Sequence, residues 1–395
     1  MNEIIDISKT VLPRMKWDYE EERTGYDDLL SLGTADMDYR SPQPILDSIM
    51  EIARNGHLGY PYLSDAFYEA IQEHFMKQSS WKIDARKCVS ANVGIYMAAW
   101  NVIDSLTAPG DKIVILTPVH FCFKQIISMN RRKVIECPLL LENNEYHIDF
   151  DGLRACLESG VRMLWTCNPH NPVGRSWTAD ELGRLADLCV KNDVLIMSDD
   201  VYCDLLFPGV TYTPIASLSK EVSYRTVTLY STSKSYNTTG LRFAYIVTEN
   251  PQFFEQYQYS LAKCDLNYGV NLMGIAATIA AYTACKDWTE QLMERISSNH
   301  RMVREYFAAH IPNADVIRAD SAYFAWIDMR RLNLESRQLA YQLEEEEHMI
   351  VENGELFGKG GKGFIRVNLG TSEENLKAGL KRLERFCMNH GSQQE

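Results

Sequence analysis

A chain of 395 residues, with 46% hydrophobic and 24% charged residues, has the balance of an ordinary globular protein and length enough for two domains. Its formal net charge of −13 opposes a general nucleic-acid or anionic-membrane surface, because the long-range field repels phosphate. No run approaches the roughly 18 uninterrupted apolar residues of a membrane span. The stretch MNEIIDISKTVLPRMKWDYE lacks an apolar run behind basic residues and reads as no signal peptide. The ten cysteines form no C-x-x-C pair, so they read as reduced cytoplasmic thiols, with no disulfide framework and no metal site.

In chain order, the turn Asn92–Val93–Gly94–Ile95 opens a helix at Tyr96. β-rich runs follow at Lys112–Leu116, Arg162–Thr166, Val194–Ser198, Thr226–Tyr230 and Phe243–Thr248. Between them, Thr178–Val190 places Leu182, Leu185, Leu188 and Cys189 on one helical face, with Asp180 and Glu181 in its first turn. This alternation predicts an α/β fold with a mostly parallel sheet and a ligand site at the carboxyl ends of its strands. Farther on, Ala281–Ala309 reads as one long helix. Strand-like runs at Ala322–Asp328 and Gly363–Asn368, with an acidic helix near Leu339–His348, predict a smaller α+β domain. The expected division is an N-terminal arm with part of the small domain over 1–50, a large domain over 51–287 and a small C-terminal domain over 288–395. The GKGGKG stretch at Gly358–Gly363 lacks the order of a phosphate-binding loop and reads as a flexible surface loop.

Three motifs carry the chemistry: NPHNPVG (Asn168–Gly174), SDDVYCDL (Ser198–Leu205) and STSKSYNTTGLR (Ser231–Arg242). Lys234 follows a β-run among small polar residues, and Asp199 ends another. These are the parts that pyridoxal phosphate requires: a lysine for its aldehyde, an acid to hold the ring nitrogen protonated, donors to the ring oxygen and a phosphate cradle. Tyr202 and Asn171 suit the ring oxygen. Ser231, Ser233 and Arg242 suit the phosphate, with backbone N–H groups of Gly94 and Ile95 at the helix start. Taken singly, each has an ordinary reading: Asp199 as a helix cap, Asn171 as a turn residue, Lys234 as a solvated charge. Their order along the chain is harder to explain by turn chemistry.

With these motifs, the chain resembles the fold-type I pyridoxal-phosphate enzymes of the class I/II aminotransferase kind, and within them the cystathionine β-lyase branch. TADMDY (Thr34–Tyr39), Gly59–Tyr60, VGIYM (Val93–Met97), YFAWIDMR (Tyr323–Arg330) and FIRVNLG (Phe364–Gly370) extend the match over nearly the whole chain. The resemblance implies that Lys234 also shuttles the Cα proton and that Arg366 grips the substrate carboxylate. It further implies a homodimer in which Tyr60 reaches the neighbouring subunit's cofactor. An arginine on a strand could instead make an ion pair with a structural acid, and Tyr60 could be an ordinary packed aromatic, but the substrate and cofactor readings are preferred. Two departures stand out: His120 where the branch has a ring-stacking tyrosine, and Tyr202 where it has histidine.

The expected reaction is β-elimination from cystathionine, cysteine or a related amino acid, giving pyruvate, ammonia and a thiol; transamination to a 2-keto acid is the alternative. A dinucleotide-dependent oxidoreductase would need a G-x-G-x-x-G turn, which the α/β region lacks. A ligand sensor with an appended DNA-binding module would need length the chain does not spare.

Overall fold

The computed structural model describes residues 3–7, 10–267, 270–334 and 336–391; the extreme ends of the expected outer units lie outside them. Seven apolar runs pair into one sheet: β1 (Val89–Asn92), β2 (Lys112–Thr117), β3 (Lys133–Pro138), β4 (Met163–Cys167), β5 (Leu195–Asp199), β6 (Thr226–Tyr230) and β7 (Ala244–Val247). Their spatial order is β1-β7-β6-β5-β4-β2-β3. β3, β2, β4, β5 and β6 are parallel neighbours, whereas β7 runs antiparallel to both β6 and β1. The reversal of β7 leaves β1 pointing with the parallel set. Segments leaving β1, β2, β4, β5 and β6, and the segment entering β7, therefore meet at one edge of the sheet.

Successive strand residues face opposite ways, and here both faces are covered. Val114, Leu164 and Ile196 pack with Leu182 and Leu185 in one core. Ile115, Trp165, Met197 and Leu229 pack with Ala98, Val102 and Ile103 in another. The helices supplying those partners are α1 (Ile95–Leu106) and α2 (Ala179–Lys191). α2 begins on a capping box: Thr178 Oγ1 accepts from Glu181 N (3.2 Å) while Glu181 Oε2 accepts from Thr178 N (2.8 Å).

The region expected as one helix over 281–309 is two. α3 (Leu272–Ala284) starts earlier, on an Asn271 side-chain cap, and α4 (Lys286–His310) follows it. They meet at Cys285, whose φ of −117° and ψ of 12° leave the helical region. Ala281, Cys285, Trp288 and Leu292 all enter one core, so the hydrophobic spacing runs through the break and hides it.

A second, antiparallel sheet contains β8 (Asp315–Val316), β9 (Phe324–Asp328), β10 (Glu352–Asn353) and β11 (Phe364–Asn368) in the order β8-β9-β11-β10. α4, α5 (Ser336–Glu347) and α6 (Glu373–Gly391) cover it, and Leu30 and Leu32 from the N-terminal segment join the same core. The GKGGKG loop corrects a second expectation. Lys359 and Gly360 are exposed, but Gly354 and Gly361 are buried against each other. A Cβ added at Gly361 would lie 2.0 Å from the Gly354 carbonyl oxygen. The loop's glycines serve close packing, and the loop abuts the 118–120 segment through Val119 N–H to Phe357 O (2.9 Å). Among the described residues no helix is long and apolar enough to cross a membrane.

Because Leu164 is fully buried between sheet and helix, Leu164→Ala is expected to lower stability by about 3 kcal/mol, and Thr178→Ala by about 1 kcal/mol through loss of the cap. Chemical denaturation of the two variants checks the ranking; equal midpoints would contradict it.

Candidate active site

Four parallel strands deliver residues to one cavity. His120 follows β2, Asn171 follows β4, Asp199 closes β5 and Lys234 follows β6; all four line a cavity of about 320 Å³. Gly94 and Ile95 at the start of α1, and Tyr202, Ser233 and Arg242, line it as well.

Asp199 is 5% exposed, and its carboxylate accepts a long hydrogen bond from Val201 N–H (3.3 Å). Burial pushes its pKa up to about 7, opposed by that bond and by the charge of Lys234. A buried carboxylate held this way lacks a close cationic partner. Lys234 Nζ donates to the Ala35 carbonyl (3.0 Å). Burial lowers its pKa to about 8 against the attraction of Asp36, with Arg366 lowering it further. His120 is pressed down to about 3 by burial and by the positive charges of Arg366 and Lys234, so its imidazole is neutral. Its Nδ1 lies 2.9 Å from Cys122 Sγ, and burial raises that thiol's pKa. Tyr202 is buried edge-on to Tyr323 and Phe324, and burial raises its phenol.

At the opposite end, Gly94 has φ +102°, and a Cβ there would sit 3.8 Å from Arg242 Nε, inside the cradle. Arg242 is exposed and has no ion-pair partner among the described residues. An anion would meet its guanidinium together with the backbone N–H groups at the start of α1. A lysine, an acid wanting a cation, ring-oxygen donors and an unpartnered anion cradle fit the donor set of pyridoxal phosphate.

Three expected residues lie elsewhere. Ser231 is buried, donating to Phe243 O (2.6 Å) and accepting from Ser233 N–H (3.1 Å), so a phosphate contact would require that donated bond to open. Arg366 stands behind Asn171, donating to its Oδ1 (3.2 Å), and pairs with Glu352 (3.1 Å). Tyr60 is 93% exposed, beside exposed Leu58 and Tyr62, and belongs to no core.

Sequence reasoning missed what holds the 33–39 segment over Lys234. Asn237 donates to Met37 O (3.0 Å) and Tyr39 O (2.7 Å), and Asn368 to Thr34 O (2.6 Å) and Asp36 O (2.9 Å). Arg14 bridges Asp36 (3.0 Å) and Asp38 (2.9 Å), and fully buried Lys16 reaches Asp38 (2.9 Å). The two asparagines sit inside recognised motifs; nothing in the spacing of Arg14 and Lys16 pointed to Asp36 and Asp38. His170 Nε2 ties the NPHNPVG turn to Pro118 O (2.9 Å). Away from the cavity, His74, Cys203 and Asp204 converge, and the His74 Nε2–Asp204 Oδ1 approach (3.0 Å) is their main contact.

Comparison with known proteins agrees with this architecture. Cystathionine β-lyase PatB of Bacillus subtilis is 30% identical over 371 residues, 94% of this chain and 95% of PatB. Protein MalY of Escherichia coli is 30% identical over 367 residues, 92% of this chain and 93% of MalY. The crystal structure of cystalysin from Treponema denticola, which contains a pyridoxal 5'-phosphate cofactor, superposes with a TM-score of 0.92 at 28% identity, covering 98% of each chain. The profile described as aminotransferase class I and II matches residues 27–383, and the chain belongs to that family.

Proposed function

We propose that this chain is a pyridoxal-phosphate-dependent carbon–sulfur β-lyase, releasing pyruvate, ammonia and a thiol from cystathionine, cysteine or a related S-substituted cysteine. The observation that carries it is the meeting of Lys234 and Asp199 across one cavity, in a chain whose relatives include a cystathionine β-lyase of matching length. When bound, the cofactor supplies an electron sink for the charge left at Cα.

In this reading Lys234 would hold the cofactor through Nζ and, once free, would take the Cα proton there. A pKa near 8 gives that nitrogen a usable neutral fraction at physiological pH. Asp199 keeps the ring nitrogen protonated, and that pairing relieves its own buried charge. Tyr202 and Asn171 would hold the ring oxygen, and His120, a neutral imidazole, would pack against the ring. Ser233, Arg242 and the N–H groups of Gly94 and Ile95 hold the phosphate. Arg366 takes the substrate carboxylate. A thiolate on Cβ then departs, and hydrolysis of the remaining fragment gives pyruvate and ammonia.

The proposal includes a homodimer with Tyr60 entering the neighbour's site, supported by the exposed run of Leu58, Tyr60 and Tyr62. It also includes a cytoplasmic location, supported by ten cysteines none of which is paired. The division at residues 50/51 and 287/288 is part of it too. Leu30 and Leu32 in the core of the second sheet support the joining of part of the N-terminal segment to the small domain, and the break at Cys285 supports the second boundary.

Purified enzyme given L-cystathionine or L-cysteine without a keto acid is expected to yield pyruvate and thiol in equal amounts. Lys234→Ala should lose about 10²–10⁴-fold or more of that turnover. A single conversion that resumes only when a keto acid is added would identify an aminotransferase instead. Cofactor capture by the apoenzyme, followed by absorbance, should rise with pH to a plateau above about 8, because Lys234 must lose its proton to react; a rate still climbing at the ordinary lysine pKa of about 10.4 would contradict it. Tyr60→Phe should weaken retention of the cofactor while leaving the dimer intact by light scattering; unchanged retention would remove Tyr60 from the site.

A further inference from the structure

The carboxylate grip assigned to Arg366 already has an occupant. Arg366 is 1% exposed, and its guanidinium carbon lies 4.2 Å from the centre of the Phe324 ring. Nη1 donates to Asn171 Oδ1 (3.2 Å). Nη2 donates both to the Gly33 carbonyl (3.1 Å) and to Glu352 Oε2 (3.1 Å). Nε is buried and has no hydrogen-bond partner among the described residues.

A guanidinium offers two edges on which a carboxylate can sit with parallel bonds, Nε with Nη2 and Nη1 with Nη2. Both edges need Nη2, and both of its hydrogens are taken. An incoming carboxylate must therefore displace one of the two acceptors. The Gly33 carbonyl is backbone in a pinned segment: the adjoining Thr34 and Asp36 carbonyls are held by Asn368. Glu352 is a side chain, 24% exposed, at the end of the short β10. Glu352 is the acceptor that can leave, and it can leave into water.

We propose that Glu352 is a resident counter-ion seated in the substrate's carboxylate position on Arg366, which each substrate must displace. The proposal rests on the reading of Arg366 as the carboxylate grip. With the site vacant, the pair spares Arg366 the cost of a buried, unpaired cation. On binding, one carboxylate replaces another and Glu352 turns to solvent. Glu352 thus sets a threshold: ligands without a carboxylate cannot make the exchange, and those with one bind more weakly than Arg366 alone would allow.

The test is isothermal titration of the holoenzyme with propionate, which has a carboxylate and no amine to react. Glu352→Gln, nearly isosteric, and Glu352→Ala are each expected to bind propionate about tenfold more tightly than wild type. KM for the amino acid should fall in the same variants, with kcat little changed. Arg366→Leu should abolish binding, and adding Glu352→Gln to it should restore nothing. Equal or weaker propionate binding in both Glu352 variants overturns the counter-ion role; if Arg366→Leu still abolishes binding, the carboxylate grip itself survives. Undiminished binding in Arg366→Leu overturns both.

Discussion

Parallel pairing across β4, β5 and β6 sets Cys167 opposite Asp199, and Asp199 opposite Leu229. This register decides where the three motif-bearing loops leave the sheet, and hence that Asn171, Asp199 and Lys234 face one cavity. A slip of one residue in β5 would turn Asp199 to the opposite face. The register is held by fully buried side chains on both faces, so the cores on either side indirectly fix the distance between the lysine and the acid.

A cavity formed this way is electrostatically unfinished. Among the described residues, Asp199 carries a buried carboxylate with one long hydrogen bond, Lys234 a nitrogen with a depressed pKa, and exposed Arg242 a cation without a counter-ion. For the two buried groups, charge in a low-dielectric site is costly unless paired. The cofactor's ring nitrogen, aldehyde and phosphate are complementary to these three groups in turn. The same economy of charge accounts for the pairing of buried Arg366 with Glu352.

The second sheet and the N-terminal segment complete the site from above. Arg366 on β11 comes from that sheet, and the Ala35 carbonyl that receives Lys234 comes from the N-terminal segment. Asn237, Asn368, Arg14 and Lys16 converge on residues 34–39 from three separate parts of the chain. Arg366 and the Lys234–Asp199 pair thus rest on different sheets, joined through one short pinned segment.

Sequence alone determined the α/β class and the positions of Asn171, Asp199 and Lys234 at the ends of the central strands, because buried parallel strands read as apolar runs and the motifs lie directly at their ends. It also located Gly94, whose positive φ disfavours any side chain. Local spacing could not reveal the break at Cys285, since the buried face continues through it, or the packing of the GKGGKG loop, whose glycines are required by neighbours and by one another. Only the tertiary structure decided which charges meet: Lys16 with Asp38, and Arg366 with Glu352. Such pairs join residues on separate elements, and an electrostatic contact leaves no periodicity in the chain from which it could be read.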